Sequence, residues 1–431
     1  MNKRNYRATH VKQVNWRNVI QNTAGKALVL AIDVAKEEQF AMLMDADSQS
    51  HLLVKWTHPV ETPVLLKHLA TLLSQQLDVA MEPTGIYGDT LRAQLALAGY
   101  RTHQVSAKRV SDAKEIYDGV PSLHDAKAAY LIGRLYWSGV AQPWRESSVQ
   151  QRELKALCNR YELHNAHYGR NRNRLEAMLQ RHWPEVLVYL ALDSVTLEYL
   201  LIRYGCPQAL ARDSATAATL MRKVSCGKLA EAKIQGLLEG SRNSIGIPCV
   251  EEERRYLQQL GEELRHSRLH QKAVRKQLQV LIDADEQLKA MSAVVGPLTT
   301  AMLLSNRLDP RHYGNAGAYR KGMGLNLKEK SSGKFKGQLK ITKRGPGQAR
   351  KYLYFSILRL INYDPIVQRW YQAKVRANGD RDKIKYVVAL MRKLACALWH
   401  VGHGEAFDAV SYTHLRAHET ERLSSYAVFC L

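Results

Sequence analysis

The N-terminal part of the chain alternates short apolar runs with polar turns, which is typical of a sheet covered by helices. The first run, 27–33, is apolar up to its last residue, Asp33, and predicts a buried strand that ends in a carboxylate. Short polar turns separate it from two more predicted strands at 39–45 and 51–56, which favours an antiparallel meander. The leucines of 62–76 recur at helical spacing and predict a helix.

Two further acids occupy comparable positions later in the same region. The next predicted strand, 77–82, ends at Glu82, and a helix at 88–98 and a strand at 100–105 follow. A third acid, Asp125, falls in the first turn of the next predicted helix. These elements predict an α/β domain whose acids lie at strand ends and at a helix start, where the sites of open sheets collect.

Beyond the α/β region the pattern changes to long, charged stretches with helical periodicity. Two of them, 148–182 and 250–290, contain little Gly or Pro and predict helices that pair as an antiparallel coiled coil. Between them, 185–249 predicts a looser helical insert. Three arginines recur at two-residue intervals in the first stretch: Arg170, Arg172 and Arg174. They cannot all share one helix face; they are candidates for contact with a phosphate backbone, and a solvated charge run is the ordinary alternative.

The remainder of the chain predicts a mainly helical domain. The stretch 294–304 predicts a hairpin between two helices with Gly296 at the turn, and such a turn can present backbone N–H groups to a DNA phosphate. A purely structural turn is the alternative. The stretch 322–345 is rich in Gly, Ser and Lys and predicts a long basic loop. Three helices are predicted after it, at 346–361, 364–376 and 381–402.

The pattern thus divides the chain into five parts: a basic lead-in (1–26), an α/β domain (27–147), a coiled-coil domain with its insert (148–290), a C-terminal domain (291–409) and a tail (410–431). The tail does not continue the pattern of the C-terminal domain. Its first part, 411–420, resembles translated sequencing-adapter read-through, so the tail contributes nothing to the predicted fold.

Charge favours a polyanionic partner for this α/β and helical protein. Lys and Arg number 63 against 40 Asp and Glu, which gives a formal net charge of +23 and a pI near 9.7. An excess of this size favours nucleic acid as the partner. The six cysteines are scattered without a CxxC pair, which favours neither a zinc site nor disulfides and fits a reducing cytoplasm. No apolar run is long enough for a membrane span, so we expect no membrane partner.

The three acids suggest phosphoryl-transfer chemistry. Two Mg²⁺ ions roughly 4 Å apart can activate an attacking oxygen and stabilise a leaving one, and they need carboxylates that converge from separate elements. Asp33, Glu82 and Asp125 come from one strand, a second strand and a later helix. Each acid alone has an ordinary structural explanation, but together, in a basic protein, they favour a nuclease-like metal site.

Short motifs surround these acids in order along 27–409. In the α/β domain they are Ala31-Ile-Asp33-Val-Ala-Lys36, Met81-Glu82-Pro-Thr-Gly85-Ile-Tyr87 and Pro121-Ser-Leu-His-Asp125-Ala-Lys127. In the C-terminal domain they are Val295-Gly296, Gly324-Leu325, Ser331-Ser332-Gly333, Lys343-Arg344-Gly345, Met391-Arg-Lys-Leu-Ala395 and Phe407-Asp408-Ala409. The ordered set resembles the motifs of DEDD insertion-sequence transposases and Piv-like DNA invertases, the bridge-RNA-guided serine recombinases.

That resemblance implies a RuvC-like RNase H domain, a coiled-coil connector and a C-terminal transposase domain. It implies two Mg²⁺ ions held by Asp33, Glu82 and Asp125, and a serine that attacks a DNA phosphate to form a covalent intermediate, in a composite site built by two protomers. It further implies a structured guide (bridge) RNA, donor and target double-stranded DNA, and a homo-oligomer, either a dimer or a tetramer. A bacterial cytoplasmic protein that works at the nucleoid is the setting expected from it.

The chain departs from the family pattern at its fourth acid. That acid should lie three residues after Asp125, one helical turn away on the same face, and Ala128 stands there instead. Either metal binding is weakened, or another acid such as Asp118 substitutes, or the acid was removed to inactivate the protein. We favour the inactivating change because every flanking residue fits the family motif.

The nucleophile is one of two adjacent serines. In the family the serine precedes a glycine and follows the Gly of the Gly-Leu pair by eight residues. Counted from Gly324 this position is Ser332, which Gly333 follows, and Ser331 is the alternative. The basic residues of the same loop are expected to neutralise backbone phosphates, with binding that falls steeply with salt: Lys328, Lys330, Lys334, Lys336, Lys340, Lys343 and Arg344.

Two other functions are compatible with the sequence. One is a RuvC-like junction resolvase or a DNA invertase that works without a guide RNA. The other is a catalytically impaired nucleic-acid-binding protein, an interpretation that Ala128 favours. RNA guidance would place sequence choice in base pairing, with the protein reading mainly backbone and shape.

Overall fold

The computed structural model describes residues 7–83, 85–329, 339–409 and 412. The chain divides into two compact units, Met1–Glu146 and Ser147–Leu431. The first unit is a mixed sheet with helices on both faces, and the second is almost entirely helical. The predicted order of an N-terminal α/β region followed by a helical region is therefore confirmed.

The elements of the first unit are, in chain order, β1 (Thr9–His10), α1 (Trp16–Thr23), β2 (Ala27–Asp33), β3 (Glu38–Asp45), β4 (Ser50–Thr57), α2 (Thr62–Leu69), β5 (Gln76–Met81), α3 (Asp89–Leu97), β6 (Arg101–Gln104), α4 (Ala107–Asp112), α5 (Asp125–Trp137) and β7 (Gln142–Pro143). In the described residues these strands form one sheet in the order β1-β4-β3-β2-β5-β6-β7. Strands β2, β3 and β4 are antiparallel neighbours, as the meander prediction required, whereas β5 pairs parallel to β2.

Strand β2 is buried on both faces because its apolar residues alternate between two cores. Leu28, Leu30 and Ile32 belong to the core that includes residues of α1, α2 and α3. Val29 and Ala31 belong to the core on the other face, which includes α5. Side chains on a strand alternate with a period of two, so the continuous apolar run of β2 is what a strand covered on both faces needs.

Two sequence predictions differ from the structure at the N-terminal end. Residues 9–23, predicted as part of a basic lead-in, form β1 and α1 and pack into the first core, where Trp16 is buried. The helix predicted at 62–76 ends at Leu69. The backbone after the helix instead forms hydrogen bonds with the residues that precede β2, since Leu73 O accepts from Gly25 N and Gln75 N donates to Lys26 O.

The elements of the second unit are α6 (Val149–His182), α7 (Val186–Tyr189), α8 (Val195–Tyr204), α9 (Pro207–Arg212), α10 (Ser214–Val224), α11 (Glu231–Arg242), α12 (Glu251–Asp283), α13 (Glu286–Val295), α14 (Pro297–Ser305), α15 (Ala316–Gly322), β8 (Leu327–Lys328), β9 (Lys340–Ile341), α16 (Gly347–Tyr363), α17 (Pro365–Ala377) and α18 (Lys383–Val401).

The long helices α6 and α12 pack against each other and run in opposite directions. The end of α6 meets the start of α12, since His182 lies beside Glu253. Further back along α6, Tyr161 accepts a hydrogen bond from Arg275 at 2.5 Å. The second arm was predicted to continue to residue 290, but α12 ends at Asp283, where a new helix begins after the capping residue Asp285.

The described residues of the second unit form three cores. The insert helices share a core with the adjoining ends of α6 and α12. The opposite ends of that helix pair share a core with the C-terminal helices, in which Cys158 and Leu278 pack with Met302 of α14 and Tyr352 of α16. The largest core joins α13 through α18.

In the described part of the chain, no single helix is both long and apolar enough to cross a membrane. The helix pair Glu286–Val295 and Pro297–His312 is long and apolar enough only when the two are taken together, and a bend of 117° separates them.

Candidate active site

Asp33 is the last residue of β2, a central strand of the sheet. Its strand neighbour Ile32 pairs with Met81 of the parallel strand β5, and Glu82 follows Met81 directly. Two parallel strands therefore end side by side, each with an acid at its end. Alternation along each strand also puts Asp33 and Glu82 on the face that carries Ala31 and Ala80, which is the face covered by α5.

Helix α5 brings the third acid to this edge. Gly133 lets the helix approach β2 closely, since a Cβ at this residue would lie 3.3 Å from the Ala31 Cβ. The far end of the helix is tied to the start of β5, where Tyr136 Oη donates to Asp78 at 2.6 Å. The helix consequently runs opposite to β2 and begins near the carboxyl end of that strand. Asp125 is its first residue, which lies within the first turn that the sequence predicted.

The other two acids act electrostatically on Asp33. Burial raises the pKa of Asp33 to about 7, and the negative charges of Asp125 and Glu82 contribute to the same rise, opposed by the N–H group of Val34. Burial also raises the pKa of Glu82. A group of carboxylates whose charges repel in a poorly solvated place is the environment that a cation stabilises.

Ala128 lies on the same face of α5 as Asp125, one turn further along the helix. It is 5% exposed and belongs to the core that contains Val29, Ala31 and Ala80. In place of the expected carboxylate, this position therefore presents a methyl group to the apolar side of the site. Ala128 N donates to His124 O at 2.8 Å, so Ala128 belongs to the first turn of α5.

Lys127, which the sequence did not single out as a functional residue, is 2% exposed. Its Nζ donates to Asp118 Oδ1 at 2.8 Å and to Val120 O at 2.7 Å, so it fastens the loop before α5 to the helix. The hydrogen bond from Lys127 lowers the pKa of Asp118. Asp118, considered as a substitute for the fourth acid, is thus engaged with Lys127. The signal in the sequence was a lone lysine within the apolar face of a helix.

The residues fit Mg²⁺ in donor type and in charge, because carboxylate oxygens are its preferred protein ligands. Their arrangement is less complete. Among the described residues, no group of three or more His, Cys, Asp or Glu side chains is gathered closely enough to hold a metal ion. Asp33, Glu82 and Asp125 are neighbours that a bound cation would have to draw together.

The predicted serines lie outside the described residues, as do three of the loop lysines: Ser331, Ser332, Lys330, Lys334 and Lys336. The described ends of this loop form a two-stranded ladder in which Lys328 stands directly opposite Lys340. Both lysines are exposed, as are Lys343 and Arg344 just beyond the ladder. Like charges directly opposite each other on a sheet are unfavourable, so this ladder is suited to a polyanion that neutralises them.

Close backbone contacts hold the base of this loop. Gly324 has a φ of +71°, and a Cβ there would lie 2.8 Å from Arg344 N. A Cβ on Gly345 would lie 2.4 Å from Gly322 O. Lys343 N donates to Gly324 O at 3.0 Å, and Arg350 Nη1 donates to Gly345 O at 2.8 Å. Two sequence motifs separated by the loop thus meet at its base, and only glycine fits there.

The remaining candidate contacts lie elsewhere in the second unit. Gly296 has a φ of +85° and forms the turn between α13 and α14, as predicted. Three arginines lie on α6, with Arg170 and Arg174 exposed and Arg172 half-buried. Arg174 donates to Asn171 at 3.1 Å. Since the helix turns about 100° per residue, Arg170 and Arg174 share a face that Arg172 does not.

Comparison with protein families identifies both parts of this architecture as transposase domains. A family model described as DEDD_Tnp_IS110, transposase, matches residues 30–184, which contain Asp33, Glu82 and Asp125. A second, described as transposase IS116/IS110/IS902 family, matches residues 286–372, which contain Gly296 and the basic loop. The chain therefore carries the two transposase domains of the IS110 family of insertion sequences, in that order. No curated protein gave a sequence match.

Proposed function

We propose that this transposase catalyses guide-RNA-directed DNA strand exchange of an insertion sequence, with metal-bound acids in the first domain and a serine nucleophile in the C-terminal domain. The observation that carries the proposal is that the negative charges of Asp125 and Glu82 both contribute to the raised pKa of Asp33. All three acids lie within the region matched by the DEDD transposase family. The strand order β4-β3-β2-β5-β6, with β3 antiparallel to its neighbours, supports a RuvC-like RNase H assignment. The antiparallel pair α6–α12 supports a coiled-coil connector.

Transposases of this DEDD type usually use divalent metal ions, and Mg²⁺ bound to Asp33, Glu82 and Asp125 would supply charge neutralisation at a DNA phosphate. Lys127 keeps the start of α5, and with it Asp125, in place through Asp118. Lys328, Lys340, Lys343 and Arg344 hold the DNA backbone beside the serine loop. The protein works on donor and target DNA as a dimer or tetramer, at the bacterial nucleoid.

The serine step makes one bond and breaks one bond. Ser332 Oγ attacks a backbone phosphorus, one bridging P–O bond of the strand breaks, and the released sugar oxygen takes up the proton that the serine loses. The product is a phosphodiester between the protein and one DNA end. Ser331 is the alternative nucleophile.

Two measurements test the proposal. RNA that copurifies with the full chain is sequenced, and we expect one structured RNA whose loops pair with donor and target DNA. The DNA end is then sought by peptide mass spectrometry after mixing with donor DNA, and we expect an adduct on Ser332. An adduct that persists in Ser332→Ala but disappears in Ser331→Ala would assign the nucleophile to Ser331. Specific recombination without any RNA would instead support an invertase or junction resolvase.

Ala128 favours a second function, that of an impaired nucleic-acid-binding protein. With a methyl group in place of the expected fourth carboxylate, this chain would assemble with nucleic acid and turn over slowly or not at all. The prediction that separates the two functions is that DNA and RNA bind while no adduct or recombined product accumulates, and that Ala128→Asp raises strand exchange.

A further inference from the structure

A pocket of about 340 Å³ opens beside the Gly296 turn in the second unit. The lining comes from α6 (Tyr161 and Asn165), α12 (Arg275), the end of α13 with the turn and the start of α14 (295–299), and α16 (including Phe355 and Arg359). Its volume lies at the lower end of the roughly 300–1,000 Å³ range of small-molecule sites. The pocket therefore suits one small group and is too small for a base pair with its two backbones.

Two guanidinium groups give the pocket a positive charge. Arg275 Nη2 donates to Tyr161 Oη at 2.5 Å, and its guanidinium lies over the tyrosine ring, 5.2 Å from the centroid. Arg359 Nη2 donates to Val294 O at 2.6 Å, while its Nη1 lies over Gly296, 3.1 Å from where a Cβ would be. In the described part of the chain neither guanidinium has a carboxylate within 4 Å, so both keep donors for an anion.

Glu162 follows the lining residue Tyr161 in sequence, and its carboxylate is already paired with other side chains. Glu162 accepts from Lys351 at 2.9 Å and from Tyr352 Oη. No acid is among the lining residues. An anionic ligand would consequently meet two free cationic faces and, at the start of α14, backbone N–H groups that have no partner within their own helix. The two arginines supply the positive charge of the pocket, and the start of α14 adds backbone donors.

An exposed aromatic ring borders the same pocket. Phe355 is 51% exposed although it lies on a helix whose neighbouring residues, Tyr352 and Ser356, are buried at 5% and 3%. The ring contacts Tyr352 and Tyr354 edge-on, with centroids 6.2 Å and 5.9 Å apart, and about half of its surface stays open to solvent. An uncovered aromatic face beside paired arginines is the arrangement that binds unpaired nucleotides, because the base stacks and the phosphate meets the cations.

We propose that this pocket binds a single unpaired nucleotide of a nucleic-acid strand, with the base on Phe355 and the adjoining phosphate between Arg275 and Arg359. The site rests on the proposed function, in that the strand is one that the transposase handles, and it adds a subsite that recognises unpaired rather than duplex nucleic acid. Gly296 is required here because any side chain would displace Arg359 from its place over the turn.

The test is a binding measurement by fluorescence anisotropy with the full chain. Each probe is a duplex with one bulged nucleotide, compared with a fully paired duplex of the same length, in a DNA series and an RNA series. We expect the bulged probe to bind about tenfold more tightly than the paired one in at least one series, which also identifies the strand chemistry. Phe355→Ala and Arg275→Gln should each remove this preference.

Matched controls separate a pocket effect from a general loss of charge or folding. Tyr363→Ala removes another exposed aromatic ring from α16, and Arg369→Gln removes another exposed arginine, and neither residue lines the pocket. Both controls should keep the preference. If the wild type binds both probes equally, the nucleotide site is refuted while duplex binding, and with it the proposed function, stands. If neither probe binds, both proposals fail; if Phe355→Ala keeps the full preference, the site lies elsewhere.

Discussion

The substitution Ala128→Asp places a carboxylate where the resemblance to the family predicts a fourth acid, and its energetic cost should depend on divalent metal. The Ala128 side chain is 5% exposed and packs in an apolar core. A carboxylate placed there would stand one helical turn from Asp125, close to the group in which burial and two neighbouring charges already raise the pKa of Asp33 to about 7. Without a cation, the new charge has no partner.

The magnitude follows from that environment. Asp33 has an ordinary pKa of 3.8, and a pKa of about 7 corresponds to roughly 4 kcal/mol against its ionisation, at 1.36 kcal/mol for each pKa unit. A further uncompensated buried charge typically costs about 3–5 kcal/mol. We therefore expect Ala128→Asp to lower the free energy of unfolding by about 3 kcal/mol in EDTA. Mg²⁺ at a hundred times its dissociation constant would return about 2.7 kcal/mol.

Urea unfolding followed by circular dichroism measures both quantities. Ala128→Asn is the control for size, since it carries no charge and should show little change between EDTA and Mg²⁺. Ala129→Asp is the control for position, because this residue is fully buried one step further around the helix, and its loss should persist in Mg²⁺. An Ala128→Asp protein whose stability is the same in EDTA and in saturating Mg²⁺ would refute a metal site at this position.

Three further predictions concern stability, each measured by urea unfolding. Burial would raise the pKa of Asp45, but hydrogen bonds with a histidine, a backbone amide and a lysine outweigh it and hold this pKa at about 2. Asp45→Asn should therefore lower the free energy of unfolding by about 1–2 kcal/mol above pH 4, and the difference from wild type should vanish as the pH falls towards 2. Glu198 is 1% exposed, and Arg268→Met removes the cation that is paired with its carboxylate. We expect the free energy of unfolding to fall by about 3 kcal/mol at pH 7, and an unchanged stability would mean that Glu198 is neutral. Gly345→Ala forces a Cβ into backbone and should cost about 3 kcal/mol, whereas Gly347→Ala, whose nearest neighbour is 3.8 Å away, should change stability by less than about 0.5 kcal/mol.

The acids of the candidate site could be placed from sequence because each ends a recognisable element. The run that ends at Asp33 has the apolar pattern of a strand covered on both faces, and β2 has the predicted bounds. Glu82 follows a strand of the same kind, and Asp125 starts a helix that its flanking residues mark. These signals are local, and local patterns decide strand and helix bounds more directly than they decide contacts between distant residues.

What the sequence could not supply depends on contacts between distant segments. The role of Lys127 became clear only with the loop residues Asp118 and Val120 folded against it. The amphipathic segment at Trp16 reads as part of a polar lead-in, since its burial depends on the sheet that forms after it. The close contact of Gly345 with Gly322 joins residues on opposite sides of a long loop. Tertiary pairing of this kind has no local periodicity from which it could be read.

The core that contains Cys158, Leu278, Met302 and Tyr352 has a consequence for how such proteins can diversify. It joins the ends of the long helix pair to the C-terminal helices, so the two cannot be exchanged independently between relatives without mismatching side chains in a shared interior. The far ends of the pair share a second core with the insert helices. Recombination between relatives should therefore transfer the helix pair together with the C-terminal helices and the insert, because each of these shares a core with the pair.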